Sequence, residues 1–509
     1  MVSRVATVSF EGIEARPVDV QVQVASGSVA FVLVGLPDKA VAESRERVRA
    51  ALTASGLALP AKRIIVNLAP ADMPKEGSHF DLPIALGIMA AIGAIPQDAL
   101  DGYCVLGELA LDGSISPVAG VLPAAIAAHG RGLGLICPAK TGPEAAWAGG
   151  EIDILAPVSL IQIANHFKGT QVLRRPEPAI RHQDALLPDL RDIRGQEGAK
   201  RVLEIAAAGG HHLLMSGPPG AGKSMLAARL PSILPPLAPR ELLEVSMVHS
   251  VAGLLTDGAL TDRRPFRSPH HSASMAALTG GGLHARPGEV SLAHHGVLFL
   301  DELPEFQPQA LDSLRQPIET GEVSVSRANH RATYPARFQL VAAMNPCRCG
   351  YALDPGYTCK RAPNEKCMAQ YQARLSGPLL DRFDLAIEVP AVDLADLLLP
   401  VPSEGSADVL ARVVAARARQ QARFDALGLP EIRTNAATPV AALETVARLD
   451  GEGTRLLKDA AERLKLTARA FHRVLKVART LADLDDEPEI SRRHLAEALG
   501  LRGRSVAPG

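Results

Sequence analysis

The spacing of apolar and polar positions changes several times along the chain. Residues 18–24 and 30–34 alternate with a period of two, as strands with one buried face do, and residues 63–68 read as a further strand. Residues 40–55 and 82–92 read as helices. The stretch 168–190 is polar, holds prolines at 176, 178 and 188, and reads as a linker. Beyond it come short apolar runs at 213–215, 297–300 and 338–344, the pattern of parallel strands buried on both faces. After residue 396 the spacing turns helical, over 407–427, 439–450, 453–464, 467–484 and 491–499, with Ser491 as an N-cap. This order predicts an α+β module at 1–167, a linker at 168–190, an α/β unit with a parallel sheet at 191–395 and a helical unit at 396–509.

Composition narrows the possibilities. A chain of 509 residues with 47% hydrophobic and 21% charged positions has room for about three packed domains. The net charge of −1 leaves any nucleic-acid contact to local basic patches. The longest uncharged apolar stretch, 82–97, contains Pro83 and Pro96 and falls short of the roughly 20 residues that span a bilayer. Residues 1–10 lack the apolar core of a secretory leader, so a cytoplasmic location and no membrane partner are expected.

The most specific chemistry lies at Gly217-Pro218-Pro219-Gly220-Ala221-Gly222-Lys223-Ser224, which fits GxxxxGK[ST] between a strand and a helix. The glycines let backbone N–H groups turn toward phosphates; Lys223 would reach the β and γ phosphates and Ser224 would ligate Mg²⁺. The run 297–300 ends in Asp301 and Glu302: the first suits the Mg²⁺ shell, the second the polarisation of attacking water. The run 338–344 ends in Asn345, an amide able to position that water. Any one of these strand ends is compatible with ordinary core, but the three in this order point to an ATP hydrolase using Mg²⁺. Four of the six cysteines, Cys347, Cys349, Cys359 and Cys367, crowd together and read as a closed structural zinc site, with free surface thiols as the alternative. Cys104 and Cys137 read as small core residues.

With DLRDIRGQEGAKRVLEIAAAGGHHLLMSGPPGAGKS, PFRSPHHSAS, GVLFLDELPEF, RANHRATYPARFQLVAAMNPC and SGPLLDRFDL in view, the chain resembles the magnesium-chelatase-like AAA+ ATPases and, within them, the YifB/ComM group. The resemblance covers nearly the whole length. It implies a multidomain α/β protein: an AAA+ P-loop core with a parallel sheet, an N-terminal α+β module similar to the Lon protease domain (S5 domain 2-like), and a C-terminal helical lid of magnesium-chelatase type. It further implies a ring, as a hexamer, with ATP sites at subunit boundaries. The ComM members imply a DNA helicase that drives branch migration of recombination intermediates during natural transformation. By position, Arg382 resembles the arginine finger reaching a neighbour's site, Arg469 the sensor-2 residue with Arg473 as its rival, and Ile193 and Gly195 the place of the adenine. The bland alternative for Arg382 is a salt bridge with Asp381 or Asp384.

Two insertions flank the ATP site, at 265–290 and 322–334. The second alternates Val323 and Val325 with Ser324 and Ser326 before a basic turn, which predicts a hairpin. In this clade such insertions look into the central channel, so tips bearing Arg267, Arg327, His330 and Arg331 are expected to grip DNA phosphates without sequence preference. The bland reading is solvated loops, with His270 and His271 satisfied locally; their binding a metal is disfavoured because no carboxylate stands near in sequence. In the N-terminal module, alignment to the Lon pattern places His79 at the nucleophile, with Ser78 one residue early, and Leu122 at the partner lysine, so peptidase activity is not expected. A magnesium-chelatase-type motor that remodels a protein partner is the alternative function.

Overall fold

The computed structural model describes residues 2–502 except 58, 182–186, 283–284, 328–329, 353–358, 360–362, 393–394, 396–397, 399 and 465. Strands β1 (Val2–Glu11) and β2 (Glu14–Ala25) form a long antiparallel pair at the start of the chain. β4 (Arg63–Ala69) lies antiparallel to β2 and parallel to β3 (Ala30–Val34). On the other side, β5 (Tyr103–Val105), β8 (Gly134–Ile136) and β9 (Ile154–Leu155) add in parallel to β1, completing the sheet order β3-β4-β2-β1-β5-β8-β9. The short pair β6 (Glu108–Leu109) and β7 (Ile115–Ser116) stands apart. Helix Asp81–Ala91 is buried at every position from Asp81 through Ala90, which explains an apolar run with no polar face. Its Leu86 and Met89 share a core with Val5, Val20, Val22 and Val66.

The second sheet is parallel throughout. β11 (Phe266–Arg267), β12 (Val297–Leu300), β15 (Gln339–Met344), β10 (Leu213–Ser216) and β16 (Leu385–Glu388) lie side by side in that order. Every position of β12 and β15 is buried, as continuous apolar runs require. β10 sits between β15 and β16, where the strand order reverses; ligands of open α/β sheets bind outside the strand ends at such a point. A separate antiparallel hairpin, β13 (Glu322–Arg327) and β14 (His330–Pro335), precedes β15.

The helical unit comprises helices Ser406–Ala426, Val440–Val446, Gly451–Arg463, Ala468–Leu484 and Arg492–Gly500. The helix expected to reach residue 450 stops at Val446, because Asp450 caps the following helix and Leu449 bridges to Ile490. Ser491 caps the last helix, its backbone N–H donating to His494 Nδ1 at 3.1 Å. Val474, Leu481 and Leu495 belong to the same apolar cluster as Leu213, Met215 and Val341, so lid and nucleotide unit share one core. Within it, Asp483 accepts from Arg479 Nη2 at 3.0 Å, Asn435 Nδ2 at 2.8 Å and Arg423 Nη1 at 3.2 Å.

The N-terminal module docks on helix Pro239–Val251 of the nucleotide unit. The Gly120 N–H donates to Ser250 O at 3.0 Å, and Glu144 Oε1 accepts from the Leu122 N–H at 2.9 Å and the Ser250 hydroxyl at 2.8 Å. Burial pushes the Glu144 carboxyl up to about 7. A Cβ on Gly12, in the β1–β2 turn, would stand 2.8 Å from Thr333 O of β14, so the module also touches the hairpin. The expected linker is strapped down in part: Ile180 bridges to Leu260, and Trp147 Nε1 donates to Ala179 O at 3.3 Å. Among the described residues, no helix is long and apolar enough to cross a membrane.

Candidate nucleotide site and its flanking insertions

The phosphate loop leaves the end of β10 and turns on glycines. A Cβ at Gly217 would lie 2.2 Å from Val389 O, so the loop's first residue admits no side chain. Gly220 and Gly222 take φ of 79° and 85°, a region costly to other residues. Pro218, Pro219 and Ala221 complete the loop. The Lys223 amine donates to Gly217 O at 2.7 Å, Pro218 O at 2.8 Å and Asn345 Oδ1 at 3.2 Å, joining the ends of β10 and β15. Burial lowers its pKa from the ordinary lysine value.

Ser224 Oγ donates to Asp301 Oδ2 at 2.6 Å. Two hard oxygens so placed beside a phosphate loop fit Mg²⁺. Asp301 Oδ1 in turn accepts the Glu302 N–H at 2.9 Å. Glu302 has φ 51° and ψ 45°, a left-handed conformation uncommon outside glycine. Its Oε2 is 3.0 Å from His271 Nδ1. Here the structure corrects the sequence reading: a carboxylate does stand beside His271, brought there because β11 lies next to β12. His270 does bond locally, to Ser272 Oγ at 2.8 Å.

The segment expected at the adenine lies close by. Ile193 is buried, Gly195 takes φ 65°, and Arg229, from the helix after the loop, donates to Asp189 O at 2.7 Å and Asp192 Oδ2 at 3.1 Å.

Three arginines gather elsewhere. Arg382, whose side chain is only 8% exposed, pairs with Glu319 and donates to Pro378 O at 2.6 Å. Its sequence neighbours are otherwise engaged: Asp384 accepts from the His212 N–H, and Asp381 faces Arg473 at 3.5 Å. Arg469 is 67% exposed and approaches the same Glu319 at 3.8 Å, whereas Arg473 is tied to Phe383 O at 2.7 Å. Nothing in the sequence flagged Glu319 as the carboxylate these cations share.

The thiols converge. Cys347 and Cys349 sulfurs are 2.8 Å apart, Cys359 Sγ is 3.5 Å from Cys349 Sγ, and ligand atoms of Cys347, Cys349 and Cys367 all lie within 4.8 Å of one another. Four sulfurs in so small a volume fit a closed zinc site. The insert abuts the phosphate loop, since a Cβ on Gly350 would fall 2.5 Å from Pro219 Cδ.

The predicted hairpin forms, with Val323, Val325, Ala332 and Tyr334 buried at its root. Arg327 pairs with His330 in register beside Arg331; the turn and the side chains of 326–331 lie outside the described residues. Arg267 is corrected. It is not at a loop tip but on β11, where Glu289 neutralises it through contacts of 2.6 and 2.8 Å. In the N-terminal module Ser78 pairs with Glu108, and Leu122 is buried. Buried His79 meets Val8 O at 2.9 Å, and burial holds its ring down to about 4.

The description "Magnesium chelatase, subunit ChlI" matches residues 189–397, "Subunit ChlI of Mg-chelatase" residues 20–141, and "Magnesium chelatase, subunit ChlI C-terminal" residues 403–502. The chain is 44% identical to YifB of Escherichia coli over 496 residues, 96% of this chain and 95% of that one. It is also 44% identical to the competence protein ComM of Haemophilus influenzae over 499 residues, 96% of this chain and 95% of the relative. The 38 kDa magnesium-chelatase subunit of Rhodobacter capsulatus is 26% identical over 214 residues, covering 39% of this chain and 54% of the subunit.

Proposed function

From the premise that this chain belongs to the magnesium-chelatase ChlI family together with YifB and ComM, we propose that this AAA+ ATPase works as a ring on DNA. The observation that carries the chemistry is the convergence of three strand ends: Lys223 with Asn345 at 3.2 Å, and Ser224 with Asp301 at 2.6 Å. Lys223 would hold the β and γ phosphates, and Ser224 and Asp301 would hold Mg²⁺, which would draw charge from the phosphate oxygens. Ile193 and Gly195 flank the adenine. Asn345 orients a water whose oxygen bonds to the γ-phosphorus while the bond to the bridging oxygen of the leaving ADP breaks. Glu302 receives the proton that this water sheds. Glu302→Gln is expected to retain ATP binding and to lose about 10²–10⁴ in turnover, read by binding and phosphate-release assays.

Arg382 and Arg469 are proposed to complete the site of the next copy in a hexamer. Their gathering around Glu319 supports that assignment, and the exposure of Arg469 favours it over Arg473 as sensor 2. The hairpin bearing Arg327, His330 and Arg331 is the proposed DNA grip. The likeness to a protein named for competence, and the basic turn above a buried root, support a helicase or branch-migration role in the cytoplasm. The four cysteines would hold a structural zinc ion. The N-terminal module, with a leucine at the catalytic lysine's place, acts as a docked collar without peptidase chemistry.

The experiment is an ATPase assay with single-stranded or forked DNA, with peptide, and with porphyrin plus magnesium. Stimulation by DNA is expected. Stimulation by peptide or porphyrin alone would replace this reading with that of a chelatase-type motor acting on a partner.

A further inference from the structure

The four-cysteine insert is tied to the nucleotide site at three points. Cys347 stands two residues after Asn345, whose side-chain oxygen accepts from the Lys223 amine at 3.2 Å. Just before them, the Met344 carbonyl accepts the Gly217 N–H at 3.2 Å, so the end of β15 is fastened to the first residue of the phosphate loop. The turn from Cys347 to Gly350 is closed by the Gly350 N–H donating to Cys347 O at 3.0 Å, and it sets Gly350 directly against the Pro219 ring. On the other side, Cys367 lies on helix Asn364–Gln372, and Arg374 just beyond it reaches Glu305 Oε2 at 2.9 Å. Glu305 in turn donates its N–H to Glu302 O at 2.7 Å.

An apolar core of its own is nearly absent from the insert. Its buried cluster is Cys347, Ala352, Cys359 and Cys367, with Cys349 and Met368 packed against them. So small a cluster does not order a chain by burial alone, and units of that size rely on a disulfide or a metal. The four thiols are free, and their sulfurs converge: those of Cys347, Cys349 and Cys367 lie within 4.8 Å of one another, and Cys359 Sγ is 3.5 Å from Cys349 Sγ. A metal taken up by thiolates contributes its binding energy to ordering the segment that carries them.

We infer that Cys347, Cys349, Cys359 and Cys367 are positioning residues for nucleotide: closed on zinc, the insert holds Pro219 and Asn345 where the phosphate loop needs them, and loss of the metal releases both. This deepens the proposed function and rests on the phosphate loop as the nucleotide site. Because zinc and nucleotide favour the same arrangement of one insert, their coupling is reciprocal. Zinc raises the affinity for nucleotide by the factor by which nucleotide raises the affinity for zinc.

The test uses the full chain loaded with zinc and the same chain stripped by a chelator. Affinity for a fluorescent ATP analogue in Mg²⁺ is titrated in both, and the escape of zinc to a chromophoric chelator is timed with and without MgADP. The stripped chain is expected to bind nucleotide about tenfold more weakly, with affinity restored by added zinc, and MgADP is expected to slow zinc escape several-fold. Cys367→Ser, which stands on the side remote from Pro219, is expected to weaken nucleotide binding as stripping does. Lys223→Ala is expected to keep zinc and to lose the protection by MgADP. Should stripping unfold the chain, that protection, measured on the loaded chain, still decides. A chain that takes up no zinc, equal nucleotide affinity with and without it, or zinc escape indifferent to MgADP overturns the inference. Zinc-loaded protein that binds no nucleotide would remove the nucleotide-site reading instead, so the two failures are distinguishable.

Discussion

Asp483 is a buried carboxylate whose charge is met by Arg479, Arg423 and an amide of Asn435. Removing it strands two cations in an apolar lid. Asp483→Ala is therefore expected to cost about 3–5 kcal/mol, measured by denaturant unfolding, since breaking a buried pair leaves an uncompensated charge. Single residues also show the reach of sequence reasoning. That Lys223 and Ser224 meet Asn345 and Asp301 was legible, because a phosphate-loop motif and two apolar runs ending in polar residues bring them to one edge of a parallel sheet. The pairings of His271 with Glu302 and of Arg382 with Glu319 were not, because each joins segments distant in sequence. The alternative reading of Arg382, a salt bridge with Asp381 or Asp384, is not what forms: both are claimed by other groups and the guanidinium turns to Glu319.

Among the elements, the hairpin carries the clearest prediction. Its root buries Val323 and Val325 and exposes Glu322 and Ser324. Arg327→Glu together with Arg331→Glu is expected to weaken DNA binding and to lower the slope of log affinity against log salt by about two, read by titration at several salt concentrations. Unaltered binding and slope would move the grip elsewhere. β10, β12 and β15 announced themselves as apolar runs, and the long helices by their period. β1 did not, because Ser3, Thr7 and Ser9 occupy its inward positions and hide the alternation. β11 was hidden inside what read as an insertion: two residues carry too little pattern, and only pairing with Val297 and Leu298 makes them a strand.

Across the whole molecule, the docking of the module on helix Pro239–Val251 depends on Glu144. Because its carboxyl is raised to about 7 by burial, the folded state favours the proton; the benefit is whole below the ordinary glutamate range and fades as pH rises through 7. Glu144→Gln, neutral at every pH, is expected to melt above the wild type at pH 8 by the equivalent of about 2–3 kcal/mol, with the difference shrinking toward pH 4. The proposed seams between copies are probed by Arg382→Ala, which should leave nucleotide affinity near wild type while ATP turnover falls by about 10³ or more, as expected of a trans arginine. A normal rate would withdraw that role.

One consequence follows from the shared apolar core of lid and nucleotide unit. Val474 and Leu481 belong to the same buried cluster as Leu213 and Met215 of β10, and close-packed interiors do not shear in small increments. The lid is thus a handle cast in one piece with the subunit rather than a flap on a hinge. In the proposed ring, nucleotide exchange is then expected to pivot whole subunits against their neighbours.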